Sequence, residues 1–380
     1  MNRNLGLYFH IPFCRKKCAY CDFCSTANWD DARMDAYLEA LIRQMDDFFI
    51  SGGRYEADTV YIGGGTPSVF GGKRIARLLR EVGKRVRLAH GAEITVEVNP
   101  ESADQALFRQ LKRAGVNRIS MGVQSADDAM LARIGRVHDF ATAKEAVALC
   151  KKYCTENLSL DLMYGLPGQT MEGWMESLNA VCALEPRHIS CYALKLEEGT
   201  PMFSENPDRP DEDLQADMYL AAVKRLEELG FQQYEISNFA RPGFFSRHNS
   251  KYWDLAEYLG FGAAAHSFYN GKRFFYTSDL EAYLSGMEGK NAIVEDTDEL
   301  PFYDRVGEYV MLALRTAAGI DENTFYTRFH RDFAPIGAKL EQYIPSGHVL
   351  RENSRWRLTP KGFLVSNVII GEALDACPSR

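Results

Sequence analysis

Short apolar stretches alternate with longer amphipathic stretches from the N-terminus to about residue 195. The short stretches are rich in residues that favour strands, and the longer ones repeat apolar residues at helical spacing. In Met34–Phe49, for example, Tyr37, Leu38 and Leu41 share one helix face. The pattern therefore predicts repeated strand–helix units, with strands at Leu5–Ile11, Thr59–Ile62, Ile94–Val98, Arg118–Val123, Leu158–Met163 and Ile189–Leu194.

Six such units predict an α/β fold with a partial or complete parallel barrel. Glycine-rich segments directly follow two of the predicted strands, at Gly63–Gly65 and Gly165–Gly168. Parallel α/β folds place their sites at the carboxyl ends of the strands. We therefore expect the functional residues to cluster at that end of the barrel.

The pattern changes after residue 200. A loop rich in Pro and acidic residues, Glu205–Asp213, precedes a predicted helix at Leu214–Leu229. The polar segment Glu295–Leu300 predicts a linker, so the expected domains are residues 1–290 and 296–380. The second domain is expected to be smaller and mainly helical, with helices at Tyr303–Thr316, Glu322–Phe329 and Pro335–Tyr343, strands at His348–Leu350 and Trp356–Leu358, and a final helix capped by Thr359.

Composition narrows the classes of function. The hydrophobic fraction of 46% and the charged fraction of 25% are those of an ordinary globular protein. The 52 acidic and 44 basic residues give a net charge of -8, which argues against a nucleic-acid partner. The sequence contains neither a signal-peptide pattern nor the ~18 uninterrupted apolar residues that span a bilayer. We expect a cytoplasmic protein without an integral membrane segment.

Nine cysteines in a reducing compartment indicate thiols or metal ligands rather than disulfides. Cys14, Cys18 and Cys21 follow the first predicted strand, and thiolates at this spacing can surround one iron–sulfur cluster. Structural zinc would need four ligands, usually in two separated pairs. Three thiolates leave one iron of a [4Fe-4S] cluster open to a small molecule. Cys24 is a candidate fourth ligand, but we favour a free thiol there because a fourth ligand would close the open iron.

The spacing C-x-x-x-C-x-x-C after a strand is similar to that of radical SAM proteins. Further motifs resemble the coproporphyrinogen dehydrogenase branch of that superfamily, namely Tyr8–Pro12, Gly63–Pro67, Glu97–Pro100, Gly122–Ser125 and Asp161–Pro167. The resemblance spans most of residues 5–195. It implies a [4Fe-4S] cluster whose open iron binds S-adenosylmethionine, which is cleaved to methionine and a deoxyadenosyl radical.

The resemblance also implies which residues contact S-adenosylmethionine. Tyr8 is expected to contact the cofactor near the cluster. The backbone at Gly64, Gly65 and Thr66 is expected to receive its methionine part, because glycine permits a close approach. Glu97 is expected to bind a polar part of the first cofactor molecule. Each residue alone also has an ordinary structural interpretation, so the assignment depends on the ordered set of motifs.

Three further residues match positions that contact a second cofactor molecule in the dehydrogenase. They are Gln124, Arg136 and Asp161. The alternative for Arg136 is a surface ion pair, and the alternative for Asp161 is a cap at a strand end. Whether one or two molecules of S-adenosylmethionine bind is left open by the sequence.

A second signature begins at His248 and reads H-N-S-K-Y-W. Imidazole is a good axial ligand for haem iron, and Tyr252 and Trp253 offer aromatic rings to a porphyrin. A lone histidine is more often a hydrogen-bonded structural residue. The H-N-x-x-Y-W string resembles that of the HemW family of haem chaperones, and this implies haem binding through His248, Tyr252 and Trp253. In the following glycine-rich segment His266 is a second candidate, with a structural alternative.

Three further features concern the C-terminal part and the dehydrogenase reaction. Glu308–Arg315 and Gly319–Asp321 resemble the family's second domain and imply a winged-helix-like fold. The long segment that precedes the cysteines in the dehydrogenase has no counterpart in this sequence. Phe23 stands where that branch has a further cysteine. The last two differences argue against oxidative decarboxylation of a tetrapyrrole.

We therefore expect a haem chaperone that holds haem, a [4Fe-4S] cluster and S-adenosylmethionine and delivers haem to an acceptor apo-protein. The alternative is an oxygen-independent coproporphyrinogen III dehydrogenase of porphyrin biosynthesis, so it stays open whether the chain is an enzyme. A weaker third hypothesis is a radical SAM enzyme with another substrate. The acceptor, the electron donor, covalent attachment of haem and homodimer formation are left open by the sequence.

Overall fold

The computed structural model describes residues 4–49, 55–289, 293–299 and 301–377. Its strands are β1 (Asn4–Ile11), β2 (Glu56–Gly64), β3 (Arg87–Val98), β4 (Arg118–Gln124), β5 (Leu158–Tyr164), β6 (His188–Ala193), β7 (Gln232–Gln233), β8 (Asn238–Ala240), β9 (Tyr258–Phe261), β10 (His266–Tyr269), β11 (Lys272–Tyr276), β12 (Val294–Glu299), β13 (Ile320–Asp321), β14 (Val349–Glu352) and β15 (Arg355–Leu358). The helices of the same residues are α1 (Asp31–Phe49), α2 (Pro67–Phe70), α3 (Gly72–Arg85), α4 (Gln105–Arg113), α5 (Asp128–Arg133), α6 (Phe140–Tyr153), α7 (Met171–Cys182), α8 (Pro201–Glu205), α9 (Glu212–Glu228), α10 (Arg247–Trp253), α11 (Leu280–Gly289), α12 (Phe302–Ala313), α13 (Glu322–Phe329), α14 (Ala334–Glu341), α15 (Pro360–Leu364) and α16 (Ser366–Asp375), with a 3₁₀ helix at Pro100–Ser102. None of these described helices is both long enough and apolar enough to cross a bilayer.

Contacts divide the chain into two units, and the first comprises residues 1–211 and 257–298. Within it, β1 to β6 pair in parallel in the order of the sequence. At least one helix separates each strand from the next, as the alternating pattern predicts. The mixed α/β fold with a parallel sheet is therefore confirmed, and each of the six predicted strands lies within or across an observed one.

β1 lies inside the sheet because it pairs on both sides. On the side away from β2 it pairs in parallel with β9, and β10 and β11 follow in antiparallel order. The side chains of Leu7, Phe9 and Ile11 are fully buried on one face and His10 is buried on the other, as expected for a parallel strand with both faces covered. The ring of Phe9 stacks on Phe261 of β9 with centroids 5.1 Å apart. This packing anchors the strand from which the cysteine segment emerges.

The predicted linker Glu295–Leu300 is a strand over most of its length, although the boundary between the two units, at residues 298 and 299, falls within it. Residues 294–299 form β12, which follows β11 at the end of the sheet, and residue 300 lies outside the described residues. An edge strand pairs through its backbone, so charged side chains can stay in water and no apolar alternation is needed. The acidic composition of this segment therefore predicted a linker where the structure has a strand. The division into domains 1–290 and 296–380 stays a prediction.

The second unit comprises residues 212–256 and 299–380. Its described residues form α9, α10, α12 to α16, the antiparallel pair β7–β8 and a three-stranded antiparallel sheet in the order β13-β15-β14. Aromatic side chains fill its core, and Trp356 also donates a hydrogen bond to Glu322 Oε1 at 2.6 Å. Thr359 Oγ1 accepts from Gly362 N at 3.1 Å, so the predicted cap is confirmed, although two helices follow it instead of one.

Replacement of Phe261 by Ala is expected to lower the free energy of unfolding by about 3–5 kcal/mol, because it removes a buried ring that stacks on Phe9. Phe203, which is 45% exposed in the same unit, provides the matched control. Phe203→Ala is expected to change the same free energy by less than ~1 kcal/mol. Urea unfolding followed by circular dichroism measures both values, and equal effects would contradict the central place of the β1–β9 pair.

Candidate functional site

The segment that carries the cysteine motif connects β1 to α1. Two backbone hydrogen bonds fix it against the end of β2. Gly65 N donates to Ile11 O at 2.8 Å, and Thr66 N donates to Phe13 O at 2.8 Å. The segment therefore lies at the carboxyl end of the parallel strands, where such folds place their sites.

The three thiols of the motif share this segment but differ in exposure. Cys14 is buried, whereas Cys18 and Cys21 are partly exposed, and Cys21 N donates to Cys18 O at 3.2 Å. Within the described part of the chain, no three His, Cys, Asp or Glu side chains are gathered around one point as a single metal ion requires. Thiolates around a four-iron cube bind different irons and need not converge on one point. The assignment of Cys14, Cys18 and Cys21 as cluster ligands stays a prediction.

A chain of hydrogen bonds joins two of the thiols. Thr66 Oγ1 donates to Cys14 Sγ at 3.4 Å, and Asn99 Nδ2 donates to Thr66 Oγ1 at 3.0 Å. From the other side Arg136 donates to Asn99 Oδ1 at 2.9 Å and to Cys18 Sγ at 3.7 Å. Hydrogen bonds to ligating sulfurs are one of the means by which proteins tune iron–sulfur clusters. The network therefore connects the cysteine segment to β3 and to the loop after α5.

Two predicted cofactor glycines lie in close contact with the cysteine segment. A Cβ added to Gly65 would lie 3.0 Å from Cys14 Sγ, and one added to Gly64 would lie 2.8 Å from the ring of His10. Gly64 also has φ +117°, which side chains rarely adopt. The backbone here is thus accessible only because side chains are absent, which fits the predicted close approach of S-adenosylmethionine.

The predicted contacts Tyr8 and Glu97 lie beside these glycines. The Tyr8 hydroxyl is 3.0 Å from His10 Nδ1. The Glu97 carboxylate accepts from Tyr61 OH at 2.7 Å and from Gly64 N at 3.0 Å. Burial raises the pKa of Glu97 to about 7. A carboxylate has about four acceptor positions, so Glu97 keeps capacity for a cofactor donor.

Of the residues predicted for a second cofactor molecule, Gln124 and Asp161 lie on the neighbouring strands β4 and β5, and Arg136 lies in the loop after α5. A Cβ added to Gly122 would lie 2.8 Å from Gln124 Nε2 and 3.3 Å from Arg136 Nη2. Gly122 is also the pairing partner of Asp161. Asp161 accepts from Ser190 Oγ at 2.8 Å, and burial raises its pKa. Arg136 Nε is buried without a hydrogen-bond partner among the described residues.

The H-N-x-x-Y-W motif forms α10 of the second unit and presents two different faces. His248 is fully buried, and its Nε2 is 2.9 Å from the Tyr252 hydroxyl. Trp253 is partly exposed and lines a cavity together with Ser250. The structure thus brings His248 and Tyr252 together and places Trp253 on another side of the helix.

Two further thiol or imidazole groups had open roles in the sequence. Cys24 Sγ donates to Ser278 O at 3.3 Å, which is compatible with the favoured free thiol. His266 begins β10 of the first unit, where its ring stacks on Phe275 with centroids 4.9 Å apart. Partial burial lowers the pKa of His266. The role of His266 stays open.

Two residues near the cysteines received no role from the sequence. Asn99 belongs to the motif Glu97–Pro100, but only the fold brings its amide between Thr66 and Arg136. His10 belongs to the first motif, and its Nε2 is 2.8 Å from Cys24 O. For both residues the sequence offered one signal of a role at the site. Each is a polar side chain that lies inside a motif and near the end of a buried strand.

Comparison with known proteins identifies the family. The model of the radical SAM superfamily matches residues 8–181, and the HemN C-terminal domain matches residues 303–365. The heme chaperone HemW of Lactococcus lactis subsp. lactis is 36% identical over 373 residues, which are 97% of this chain and 96% of that protein. The heme chaperone HemW of Escherichia coli is 37% identical over 372 residues, with coverage of 96% and 97%. This chain belongs to the HemW family. The predicted family is confirmed, and membership of the radical SAM superfamily implies a [4Fe-4S] cluster and S-adenosylmethionine.

A solved structure supports the fold over the whole chain. Coproporphyrinogen III oxidase (HemN) from Escherichia coli, a radical SAM enzyme, matches with a TM-score of 0.86 and 22% identity, covering 98% of this chain and 90% of that chain. The predicted fold class, a radical SAM barrel with a smaller, mainly helical C-terminal part, is therefore confirmed. At this identity the likeness concerns the fold alone. The individual site residues of this HemW family member stay predictions.

The cysteine assignment leads to a direct test on four single variants. Cys14→Ala, Cys18→Ala and Cys21→Ala are each expected to lose most of the bound iron and sulfide, because three thiolates are the minimum predicted set. Cys24→Ala is the matched control from the same segment and is expected to retain the cluster. Iron, sulfide and zinc are measured after anaerobic reconstitution. Loss of the cluster in Cys24→Ala, or zinc in place of iron in the unaltered protein, would contradict the assignment.

The buried Glu97 leads to a prediction about pH. Its pKa of about 7 exceeds its value of 4.5 when exposed, so the folded chain keeps a proton that the unfolded chain releases between these values. The contribution of the protonated Glu97 to the free energy of unfolding is complete below pH 4.5 and is lost as the pH rises to 7. Relative to Glu97→Gln, the unaltered chain should lose about 3 kcal/mol of unfolding free energy over this range. Unfolding at both pH values measures this, with exposed Glu145→Gln as control, and parallel curves for all three proteins would refute it.

Proposed function

We propose that this protein is a haem chaperone, which binds haem together with a [4Fe-4S] cluster and S-adenosylmethionine and delivers haem to an acceptor apo-protein. The observation that carries the proposal is similarity over nearly the full length to proteins named heme chaperone HemW, at 36% and 37% identity. The match includes the second unit, in which the H-N-x-x-Y-W motif lies. Sequence similarity over the full length is stronger support for a shared function than possession of the same barrel fold, because one fold can host many functions.

The proposed haem-binding residues are His248, Tyr252 and Trp253. Coordination of iron by His248 would require Nε2 to exchange its contact with the Tyr252 hydroxyl for the metal. Trp253 is already at a cavity surface and can contact an apolar ring without such a change. The motif therefore offers haem one contact without rearrangement, from Trp253, and a second contact, from His248, that requires rearrangement.

The proposed cluster ligands are Cys14, Cys18 and Cys21. When bound, the cluster supplies an electron that cleaves the sulfonium of S-adenosylmethionine, so an electron donor is also required. The proposed cofactor contacts are Tyr8, Gly64, Gly65, Thr66, Glu97, Gln124, Arg136 and Asp161. None of the nine cysteines, all of which the structure describes, forms a disulfide, which is compatible with the reducing cytoplasm that we propose as the location.

The alternative function is oxygen-independent coproporphyrinogen III dehydrogenation. The close positions of Gln124 and Arg136 around Gly122 favour it, because they match residues that contact a second cofactor molecule in the dehydrogenase. The same residues can bind one cofactor molecule in a chaperone. We therefore keep the dehydrogenase as the second candidate.

Haem titration and transfer test the proposal. Purified protein is expected to bind haem at about one equivalent, with a saturable absorbance change, and to pass it to an apo-haem protein placed across a dialysis membrane. A variant with Ala at positions 14, 18 and 21 lacks cluster absorbance, so its haem bands can be measured without overlap.

Two results would overturn the chaperone proposal. One is the absence of a saturable haem spectrum in the reconstituted protein. The other is formation of protoporphyrinogen when the protein is incubated anaerobically with coproporphyrinogen, S-adenosylmethionine and a reductant. The second result would establish the dehydrogenase instead.

A further inference from the structure

Two residues beside the proposed cofactor contacts pair with each other in the first unit. The side chain of His138 is fully buried, and its Nδ1 is 3.3 Å from Glu101 Oε2. The other ring nitrogen, Nε2, is 3.2 Å from Val123 O. His138 lies in the loop after α5, Glu101 lies in the 3₁₀ helix after β3, and Val123 belongs to β4. One imidazole ring therefore connects three segments of the barrel.

Both nitrogens of this imidazole face groups that accept hydrogen bonds. The Val123 carbonyl can only accept, so Nε2 must carry a proton. Burial raises the pKa of Glu101, whereas the hydrogen bond from His138 and the charge of Arg136 lower it, and the net pKa lies below the usual value. The ionised carboxylate can only accept as well, so Nδ1 also needs a proton. The imidazolium form satisfies both contacts, whereas a neutral ring satisfies only one.

A second bridge joins the same three segments. Arg136 donates to Asn99 Oδ1 at 2.9 Å and to Gly122 O at 2.7 Å. These three residues precede their counterparts in the His138 bridge by two, two and one positions. Val137, between the two cationic side chains, is 55% exposed, so the side chains before and after it point inward while its own faces solvent. The two bridges together hold the loop after α5 against the ends of β3 and β4.

The carbonyl that His138 contacts belongs to an unusual turn. Ser125 N also donates to Val123 O, at 2.9 Å, and this hydrogen bond closes a three-residue turn around Gln124. Gln124 has φ +69°, in the left-handed region that side chains rarely adopt. Tight turns of this kind are strained and persist where surrounding contacts hold them. Loss of the His138 contact would therefore loosen the turn that orients Gln124.

We propose that His138 and Glu101 are positioning residues for S-adenosylmethionine. As an imidazolium–carboxylate pair they hold the loop after α5 and the turn at the end of β4. Arg136 and Gln124 thereby keep the orientation in which they contact the cofactor, and the pair itself acts from behind them. The inference rests on the cofactor contacts proposed for Arg136 and Gln124.

Binding of S-adenosylmethionine to the full-length, cluster-loaded protein tests the pair. Equilibrium dialysis without oxygen and without a reductant measures the dissociation constant while the cofactor stays intact. His138→Gln and Glu101→Gln each remove a charged hydrogen bond, and each is expected to raise the dissociation constant about tenfold. If the unaltered protein binds two molecules, loss of one bound equivalent counts as the same effect. His90→Gln and Glu145→Gln alter exposed residues and should bind as the unaltered protein does.

A double-variant cycle separates positioning from a general loss of stability. Arg136→Gln is expected to raise the dissociation constant by itself. In that background His138→Gln should add about threefold or less, because residues that act through one another have non-additive effects. Thermal unfolding and iron and sulfide contents verify that each variant is folded and loaded. If His138→Gln fails to fold, Glu101→Gln decides the question, because that side chain is 12% exposed and the change keeps its shape.

The protonation of the ring supplies an independent readout. Protein labelled with ¹⁵N at histidine gives signals from eight histidines, and His138→Gln identifies those of His138 by their loss. Burial alone favours a neutral ring, whereas the pairing with Glu101 favours the imidazolium. Both ring nitrogens of His138 are therefore expected to carry a proton at pH 6. A ring with a single proton at this pH would overturn the proposal.

The outcomes distinguish this proposal from the proposed function. If Arg136→Gln weakens binding but folded His138→Gln and Glu101→Gln bind as tightly as the unaltered protein, the positioning proposal is overturned and the cofactor contact stands. If Arg136→Gln also binds as tightly, the contact and the positioning proposal are both overturned. The haem function is decided separately, by haem titration and transfer. Parallel weakening by His138→Gln and Glu101→Gln, with a less than additive effect beside Arg136→Gln, supports the proposal.

Discussion

The approach of the cysteine segment to the end of β2 is the constraint on which the first unit's site depends. Two backbone hydrogen bonds, from Gly65 and Thr66 to Ile11 O and Phe13 O, hold the chain on both sides of the contact. A side chain at residue 65 would meet the sulfur of Cys14 and two carbonyl oxygens at about 3 Å. The fold therefore requires glycine there, and the predicted close approach of S-adenosylmethionine would use the same open backbone. A glycine motif and a cysteine motif 50 residues apart are thus in direct contact.

Arg136 extends that constraint to the other side of the segment. Its guanidinium binds Asn99 Oδ1, Gly122 O and Cys18 Sγ, and its Nε has no partner among the described residues. A buried cation is unfavourable unless negative charge lies nearby, and thiolates of the motif supply that charge once they bind iron. If Cys18 ligates the cluster as predicted, its thiolate would stabilise the buried guanidinium of Arg136.

Much of this organisation can be predicted from the sequence, for identifiable reasons. Parallel strands with both faces covered consist of continuous apolar residues, so the pattern locates β1 to β6 directly. The segment of β12 predicts a linker instead, because an edge strand made of acidic residues pairs only through its backbone. Asn99 lies within a motif but has no role that the sequence could assign, because its function depends on Thr66 and Arg136, which lie 33 and 37 positions away. The local pattern of apolar residues predicts the strands. Contacts between residues at the strand ends depend on the assembled sheet, so this pattern cannot predict them.

The distinction between local spacing and contacts made by the assembled fold applies to α10 as well. It limits how the H-N-x-x-Y-W motif can act. Helical spacing alone places residues 248 and 252 on one face and residues 250, 253 and 254 on another, but only the fold determines what each face contacts. Ser246 caps the N-terminus by accepting from Asn249 N at 3.4 Å, and Arg328 donates to Asp254 O at 3.1 Å at the other end. With both ends held, a rotation that exchanges His248 for Trp253 would break both contacts and expose a buried imidazole. Iron coordination by His248 would therefore need its Nε2 to release the Tyr252 hydroxyl without rotation of the helix, whereas Trp253 already lies at the cavity surface.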